Sequence, residues 1–381
     1  MSFNQHFEGT PLPTHDWSWR RGLWPAYLKW MKATGWPILV GPWRGEVGFE
    51  VLYWIPWLER MKKQGIAPER MIPISRGGAS IWYGTTQGLE LYAMRTPQQV
   101  RVQRRIDFQT TKVQKQLFVG KFDRDVITDA AETLKLGRQY HVIHPSWMYH
   151  VLAPFWTGRK GPWWLNVQAA FPGLSVPPIP QTLTLPAAYV TCRFYGRETW
   201  PWADKQVRAA TEATVLKMAD QYPVVLLNNP VNADEHADIP LPTHPNLIYL
   251  RDLVNMRAET NLAIQSAVIA GSQGFVGPYG GLAQLALRIG KPSVSFYQHW
   301  GGTAMTHLNL SDIIASQYNV GFDVIRLQDL PKVMSVCPEI FVKTPEQRQM
   351  LDTKALTPPA VEVKMDATTT APAAGVLSGV S

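Results

Sequence analysis

The chain contains little cysteine and shows no metal-ligand spacing. Only two of its 381 residues are cysteines, Cys192 and Cys337, so a disulfide-stabilised scaffold is excluded. Neither cysteine belongs to a CxxC pair, which argues against a structural zinc site. His141, His144 and His150 lie close in sequence but lack the spacing and the acidic partners of a zinc site. We therefore expect a protein without a bound metal.

Long apolar runs are also absent. No stretch approaches the roughly 18 uninterrupted apolar residues of a transmembrane helix, so no membrane span is expected. The first 17 residues are polar and lack the apolar segment of a signal peptide. No Gly-x-Ser-x-Gly elbow is present either. With 45% hydrophobic residues the composition is globular, and we expect a cytoplasmic protein.

Tryptophan and localised positive charge are abundant instead. Eight of the 16 tryptophans lie between Trp17 and Trp57. The net charge is +8, and the segment 95–124, with eight basic and two acidic residues, accounts for +6 of it. One interpretation is an anionic partner with aromatic stacking surfaces. The other is a solvated basic face over an aromatic core.

The alternation of apolar runs, glycine loops and helical spacing predicts two α/β domains. Ile38–Val40 is a buried strand, followed by a glycine-rich loop over 41–48, a helix over 50–63 and a strand over 71–74. The same alternation of strands and helices resumes at residue 188, after a connection rich in proline and glycine. We divide the chain into an N-terminal Trp-rich extension (1–36), a first α/β domain with a basic insertion (37–180), a second α/β domain (187–350) and a disordered tail (357–381).

The sharpest motif is a strand that ends in a glycine turn and continues directly into a helix, between Gly274 and Pro292. Glycines permit close backbone approach, and free amides at a helix start attract phosphate. The motif is neither GxGxxG with a downstream acid nor a Walker loop. The run from Leu247 to Tyr297 resembles the donor-binding half of the GT-B glycosyltransferases. The distance from Gly281 to Pro292 is similar to that in their heptosyltransferase branch. This resemblance implies two Rossmann-like domains facing across a cleft.

A second motif carries the same resemblance. Gly48 and Phe49 precede Glu50, and Pro56 follows after five further residues, a pattern similar to the glycine–acid–proline motif of the heptosyltransferases. In that family the acid is the catalytic base, which implies this role for Glu50, with Glu46 as the second choice. An inverting transfer needs one carboxylate that accepts the proton of the attacking hydroxyl. The alternative is that Glu50 only stabilises a helix start through the dipole.

A third motif places two arginines, Arg193 and Arg197, in the turn after a strand. The family often has a basic residue here that contacts the donor pyrophosphate. Guanidinium groups bind phosphate oxygens in pairs, so both arginines are candidates for a diphosphate clamp. GT-B enzymes use such side chains and helix dipoles in place of a metal. The resemblance therefore implies no cofactor beyond the nucleotide-sugar substrate.

Other loop residues complete the expected site. On the donor side these are Asn228, Tyr279, Gly280, Gly281, Gln284 and His299, and on the acceptor side Trp43, Arg44 and Arg76. Heptosyltransferases have Asp-Thr-Gly and a histidine where this chain has Tyr279–Gly281 and Gln284. We therefore expect a donor other than ADP-heptose.

These motifs predict a metal-independent, inverting glycosyltransferase. It would move a sugar from a nucleotide-sugar, held by the second domain, to an acceptor hydroxyl held by the first. The basic insertion favours an anionic acceptor, which the residues leave open as nucleic acid, glycan or protein. A nucleotide-sugar epimerase or a pyruvyl transferase would suit the same fold. A nucleic-acid-binding protein that uses the segment 95–124 is the third alternative.

Overall fold

Two parallel β-sheets form the framework of the protein. A computed structural model describes residues 18–111, 115–196, 200–228, 237–298 and 304–329. The first sheet has four strands in the order β3-β2-β1-β4: β1 (Ile38–Val40), β2 (Met71–Ser75), β3 (Leu89–Glu90) and β4 (His141–Ile143). All of its strand pairs are parallel, with Ile38 opposite both Met71 and His141.

The second sheet has six parallel strands in the order β12-β11-β10-β5-β7-β9. Its strands are β5 (Val190–Cys192), β7 (Val224–Leu226), β9 (Leu247–Tyr249), β10 (Phe275–Pro278), β11 (Ser293–Tyr297) and β12 (Phe322–Arg326). The chain moves outward from β5 on one side, then returns to β10 and moves outward on the other. This is the doubly wound order, and the order reverses between β5 and β10. A short antiparallel pair, β6 (Tyr195–Gly196) with β8 (Ala237–Asp238), lies outside both sheets. The predicted fold class of two Rossmann-like α/β units is confirmed.

Helices connect the strands and cover the sheets. They are α1 (Ser18–Thr34), α2 (Val47–Phe49), α3 (Ile55–Lys63), α4 (Leu91–Met94), α5 (Pro97–Thr111), α6 (Lys121–Thr133), α7 (Pro145–Trp156), α8 (Trp163–Gln168), α9 (Lys205–Ala219), α10 (Leu250–Leu253), α11 (Asn261–Gly271), α12 (Gly281–Arg288) and α13 (Ala304–Tyr318). A π-helical turn, Glu50–Trp54, joins α2 to α3, and 3₁₀ turns occupy Pro68–Arg70, Ala79–Tyr83 and Leu327–Asp329. None of the helices in the described ranges is long and apolar enough to span a membrane.

Side chains of the short strands point alternately to the two faces of the sheet, so apolar clusters form on both faces. Ile38 and Val40 pack into the largest apolar cluster, whereas Leu39, between them, packs on the opposite face with Ile72 and Ile74. Successive side chains of a strand point to opposite faces, so three apolar residues in a row require cover on both sides. Helix α6 supplies one cover, and the tryptophan-rich helices supply the other.

The first helix belongs to this core. Trp24, Leu28 and Met31, at helical spacing, are buried on one side of α1. The Trp24 ring lies 4.8 Å from that of Trp57 and 5.4 Å from that of Trp147. Trp24 therefore belongs to the aromatic core, whereas Trp30 of the same helix is exposed.

The predicted strands Ile38–Val40 and 71–74 match β1 and β2 to within one residue, whereas β3, β6, β8 and several helices were not predicted. The basic segment, which shows weak periodicity, contains the 15-residue helix α5. Only Val100 and Asp107 of α5 are buried, so no apolar stripe marks it in the sequence. The connection rich in proline and glycine that was predicted before residue 188 contains the short helix α8. The predicted tail from 357 lies outside the described residues.

Candidate functional site

The loops at the carboxyl ends of the two sheets touch each other. The loop after β1 leads into α2, and the turn after β10 leads into α12. A Cβ on Gly48 would lie 2.1 Å from Gln284 Oε1, and one on Gly281 would lie 3.0 Å from Val47 Cβ. Only glycine permits so close an approach. The two glycine motifs of the sequence therefore meet where open α/β sheets bind ligands.

A second contact reinforces this junction. The loop after β2 packs on α11, where the Ala263 backbone N–H donates to the Gly77 carbonyl at 2.8 Å. Trp82, in the following 3₁₀ turn, donates from Nε1 to Ser266 Oγ at 3.1 Å. These polar contacts hold the two sheets together through their carboxyl-end loops.

Glu50, the first choice for a catalytic base, is fully buried. Its Oε1 accepts hydrogen bonds from Ser75 Oγ at 2.6 Å and Tyr83 Oη at 2.7 Å. Its Oε2 accepts one from the Arg76 guanidinium at 2.8 Å. Three donors therefore hold the carboxylate, and none of its surface is exposed to solvent. Arg76, predicted to bind the acceptor, is occupied by the same ion pair.

Glu46, the second choice, lies four residues earlier and is accessible. Its side chain is 48% exposed, against 0% for Glu50. The Lys115 ammonium lies 3.7 Å from its Oε1 and 3.3 Å from the centre of the Phe49 ring. Burial lowers the pKa of Lys115, and Glu46 opposes that shift. Of the two predicted carboxylates, Glu46 is therefore the accessible one.

A histidine that the sequence did not single out lies beside this carboxylate. His307, on α13, shares a 2.6 Å hydrogen bond between its Nδ1 and Tyr53 Oη. Its ring also meets the Phe49 ring edge-on at 5.0 Å. Burial, together with the charge of Lys115, lowers the pKa of His307 to about 4, so the ring is neutral near pH 7. Local sequence contained no signal for this residue, because α13 is remote from the glycine loop along the chain.

The remaining acceptor-side predictions, Trp43 and Arg44, are both buried. The Trp43 ring stacks on the Trp54 ring at 5.8 Å, which leaves no face for stacking on a sugar. The Arg44 guanidinium binds Asp123 through two hydrogen bonds, of 2.8 and 3.0 Å, and Asp107 at 2.6 Å. We correct both predictions, since these side chains stabilise the loop that carries Glu46 and do not face a ligand.

Two buried polar atoms lack partners at the carboxyl ends of adjacent strands β5 and β7. In the described part of the chain, neither Arg193 Nε nor Asn228 Oδ1 has a hydrogen-bond partner. Among the described residues, the Arg193 guanidinium lies 3.4 Å from Gln265 Oε1, 3.5 Å from Asp238 Oδ1 and 5.6 Å from the centre of the Tyr195 ring. Unsatisfied buried donors and acceptors are costly, and these two atoms lie close to the point where the strand order reverses. Arg197 and His299, also predicted here, lie outside the described residues.

The turn after β10 is held in place by its neighbours. The Tyr279 backbone N–H donates to the Phe296 carbonyl at 2.7 Å, which ties the turn to β11. The Gln284 side-chain amide lies 3.4 Å from Tyr279 Oη. Burial raises the pKa of Tyr279, so its hydroxyl remains protonated at neutral pH. Gly280 and Gly281 therefore present their backbone on a supported turn at the start of α12.

The close contact between Gly48 and Gln284 predicts how a larger side chain at position 48 would change stability. Gly48→Ala is expected to destabilise the protein by about 1–3 kcal/mol, because its methyl group would overlap the Gln284 carboxamide. Urea unfolding measures this change. Gly173→Ala, where nothing lies within 4 Å of a built Cβ, is the matched control and should be nearly neutral. In the double variant Gly48→Ala/Gln284→Ala most of the loss should be recovered. Strictly additive effects would contradict the contact.

No group of three or more histidine, cysteine, aspartate or glutamate residues placed to hold a metal occurs among the described residues.

No family model matches the chain, and no curated protein matches it. Several solved structures are similar at low identity. An Escherichia coli heptosyltransferase, WaaC with ADP-2-deoxy-2-fluoro heptose, is 12% identical, with a TM-score of 0.37 over 84% of this chain and 99% of that one.

Two further solved structures are similar to the same extent. E. coli ADP-heptose LPS heptosyltransferase II is 14% identical, with a TM-score of 0.39 over 83% of this chain and 98% of that one. A family 9 glycosyl transferase from Veillonella parvula is 12% identical, with a TM-score of 0.39 over 85% and 97% of the two chains.

Proposed function

We propose that this protein is a glycosyltransferase that moves a sugar from a nucleotide-sugar donor to an acceptor hydroxyl without a metal. One observation carries the proposal: the glycine loops of two parallel sheets are in contact through Val47 and Gly281, and the exposed Glu46 directly precedes Val47 in the chain. A donor held by one sheet and an acceptor held by the other would meet at this point.

The donor diphosphate would bind at the second sheet. The start of α12 offers free backbone amides and the positive end of the helix dipole, and glycine at positions 280 and 281 keeps the approach open. Arg193 and Asn228, with their unsatisfied buried atoms, lie at the ends of neighbouring strands. Together these groups can neutralise a leaving nucleoside diphosphate by hydrogen bonds and charge alone.

The acceptor hydroxyl would be activated at the first sheet. Glu46 would accept the hydroxyl proton while the oxygen attacks the anomeric carbon from the face opposite the leaving diphosphate, which inverts that carbon. Lys115, beside Glu46, favours an acceptor that carries negative charge near its reacting hydroxyl. Glu50 would act by holding the loop through Arg76, Ser75 and Tyr83.

Donor binding can be measured directly. In a thermal-shift panel of UDP-, GDP-, ADP-, CMP- and dTDP-sugars, one nucleotide is expected to raise the melting temperature. The added stability is about 2.7 kcal/mol when the ligand is present at 100 times its Kd. Arg193→Ala should remove most of the shift, whereas Arg138→Ala, an exposed arginine, should preserve it.

Two results would contradict the proposal. One is the absence of stabilisation by every nucleotide-sugar. The other is the isomerisation of a labelled nucleotide-sugar without any acceptor, which would indicate an epimerase instead.

A further inference from the structure

The last residue of α12, Arg288, differs from the other buried arginines of the protein. Four arginines are buried in the described part of the chain: Arg44, Arg76, Arg193 and Arg288. In the first three, a guanidinium nitrogen lies between 2.6 and 3.5 Å from a carboxylate oxygen. Arg288 is 0% exposed, and no carboxylate of the described residues lies within 4.0 Å of its guanidinium. The most deeply buried arginine is therefore the one without an acidic partner in these ranges.

One edge of the Arg288 guanidinium is suited to bind an anion. Its Nε and Nη2 are buried and have no hydrogen-bond partner among the described residues. In Arg44 the same two nitrogens donate to the two carboxylate oxygens of Asp123, at 2.8 and 3.0 Å. The third nitrogen of Arg288, Nη1, donates to Tyr318 Oη at 2.6 Å and so fixes the orientation of the group. Arg288 thus holds in place the two-donor edge with which arginine binds anions.

Two aromatic rings flank the Arg288 guanidinium. The centres of the Phe171 and Tyr318 rings lie 5.5 and 5.9 Å from its central carbon. Burial raises the pKa of Tyr318, so its hydroxyl is neutral at pH 7. Burial also lowers the pKa of Arg288, but an arginine stays protonated in proteins. Glu59 opposes that shift from a distance, while its own ion pair is with Lys62. The positive charge of Arg288 is therefore buried without a direct counterion in this part of the chain.

We propose that Arg288 binds a small inorganic anion of the chloride type at its Nε–Nη2 edge. An unpaired buried charge is costly, and an anion offsets this cost, whereas a water molecule would satisfy the N–H groups but leave the charge. Because the side chain is closed to solvent, the site suits a compact anion and excludes a nucleotide or a sugar phosphate. Arg288 lies at the opposite end of α12 from Gly281, so this inference does not depend on the proposed function.

Anomalous diffraction from crystals of the full chain soaked in sodium bromide tests the proposal. Bromide has the charge of chloride and nearly its size, and its anomalous signal distinguishes it from water. A bromine peak is expected in contact with Nε and Nη2 of Arg288. A water molecule at this edge, with no bromine signal, would overturn the proposal. The carboxylate of Glu59 at this edge would also overturn it, because the counterion would then belong to the chain.

Thermal melting at constant ionic strength gives a second test in solution. When chloride replaces gluconate, the melting temperature is expected to rise by about 2–5 °C at a chloride concentration roughly ten times its Kd. Arg288→Met removes the charge at similar length and should abolish this rise. In gluconate the variant should melt at or above the wild type, because it lacks the uncompensated charge. Arg138→Met, at an exposed arginine, is the matched control and should keep the response to chloride. An equal response of wild type and Arg288→Met would contradict the anion site.

Discussion

Glu46→Gln is expected to lower the rate of sugar transfer by about 10²–10⁴-fold, because the amide cannot accept the proton of the acceptor hydroxyl. The thermal stability should be almost unchanged, since the side chain is half exposed and its contact with Lys115 is a long one. Donor binding should persist as well, because the proposed diphosphate site lies on the other sheet. Steady-state kinetics with the nucleotide-sugar found in the thermal-shift panel measure the loss.

Glu50→Gln is the matched control for this experiment. It changes a carboxylate of the same loop, but one that is fully buried and bound to Arg76. Leaving that guanidinium buried without its carboxylate is expected to cost about 3–5 kcal/mol of stability. The fraction that remains folded should still transfer sugar. If Glu50→Gln folds well and is inactive while Glu46→Gln is active, the base is Glu50 and our assignment is wrong.

Arg44→Met is expected to lower the free energy of unfolding by about 3–5 kcal/mol at pH 7, because it leaves the carboxylates of Asp107 and Asp123 buried without their cation. Chemical denaturation measures the change. The loop that carries Glu46 should also lose its anchor, so activity is expected to fall with stability. A loss below about 1 kcal/mol would contradict the buried ion network.

The pH dependence of this variant follows from the same charges. Burial alone would raise the pKa of Asp123, but Arg44, together with the nearby His144, outweighs it and holds that pKa well below its usual range. A carboxyl group whose pKa is lower in the folded state stabilises the fold when the pH is above the pKa of the unfolded state, which is near 3.9. This stabilisation is lost as the pH falls through the lower pKa of the folded state. In Arg44→Met the carboxylates lose that support. The difference between variant and wild type should therefore be largest at neutral pH and shrink in acid. Arg44→Met/Asp107→Asn/Asp123→Asn, which removes the uncompensated charges, should recover part of the stability.

Local sequence determined the strands and the glycine turns. The run Ile38–Val40 is short, apolar and bounded by Pro37 and Gly41, so it signals a buried strand without knowledge of its partners. The glycines at 48 and 281 mark positions where the backbone comes close to a ligand or to another part of the chain. Alternating strands and helices then specify parallel sheets, because parallel strands need a crossover connection.

Helix α5, by contrast, could not be predicted from local sequence. Its buried side holds one apolar residue and one aspartate, so neither helical periodicity nor hydrophobicity identifies it. Asp107 belongs inside only because Arg44, 63 positions earlier, supplies its charge partner. A pairing between distant residues leaves no pattern in a local window.

The protein's own sequence thus determined its class of fold, the abundance of tryptophan in its core and the two loops that carry the candidate site. Only the tertiary structure decided which of two nearby glutamates is accessible. Glu46 and Glu50 lie four positions apart, yet Ser75, Arg76 and Tyr83 enclose Glu50, whereas Lys115 and His307 approach the surroundings of Glu46 from remote segments. Burial and partnership depend on contacts between residues far apart in the chain, and those contacts exist only once the chain has folded.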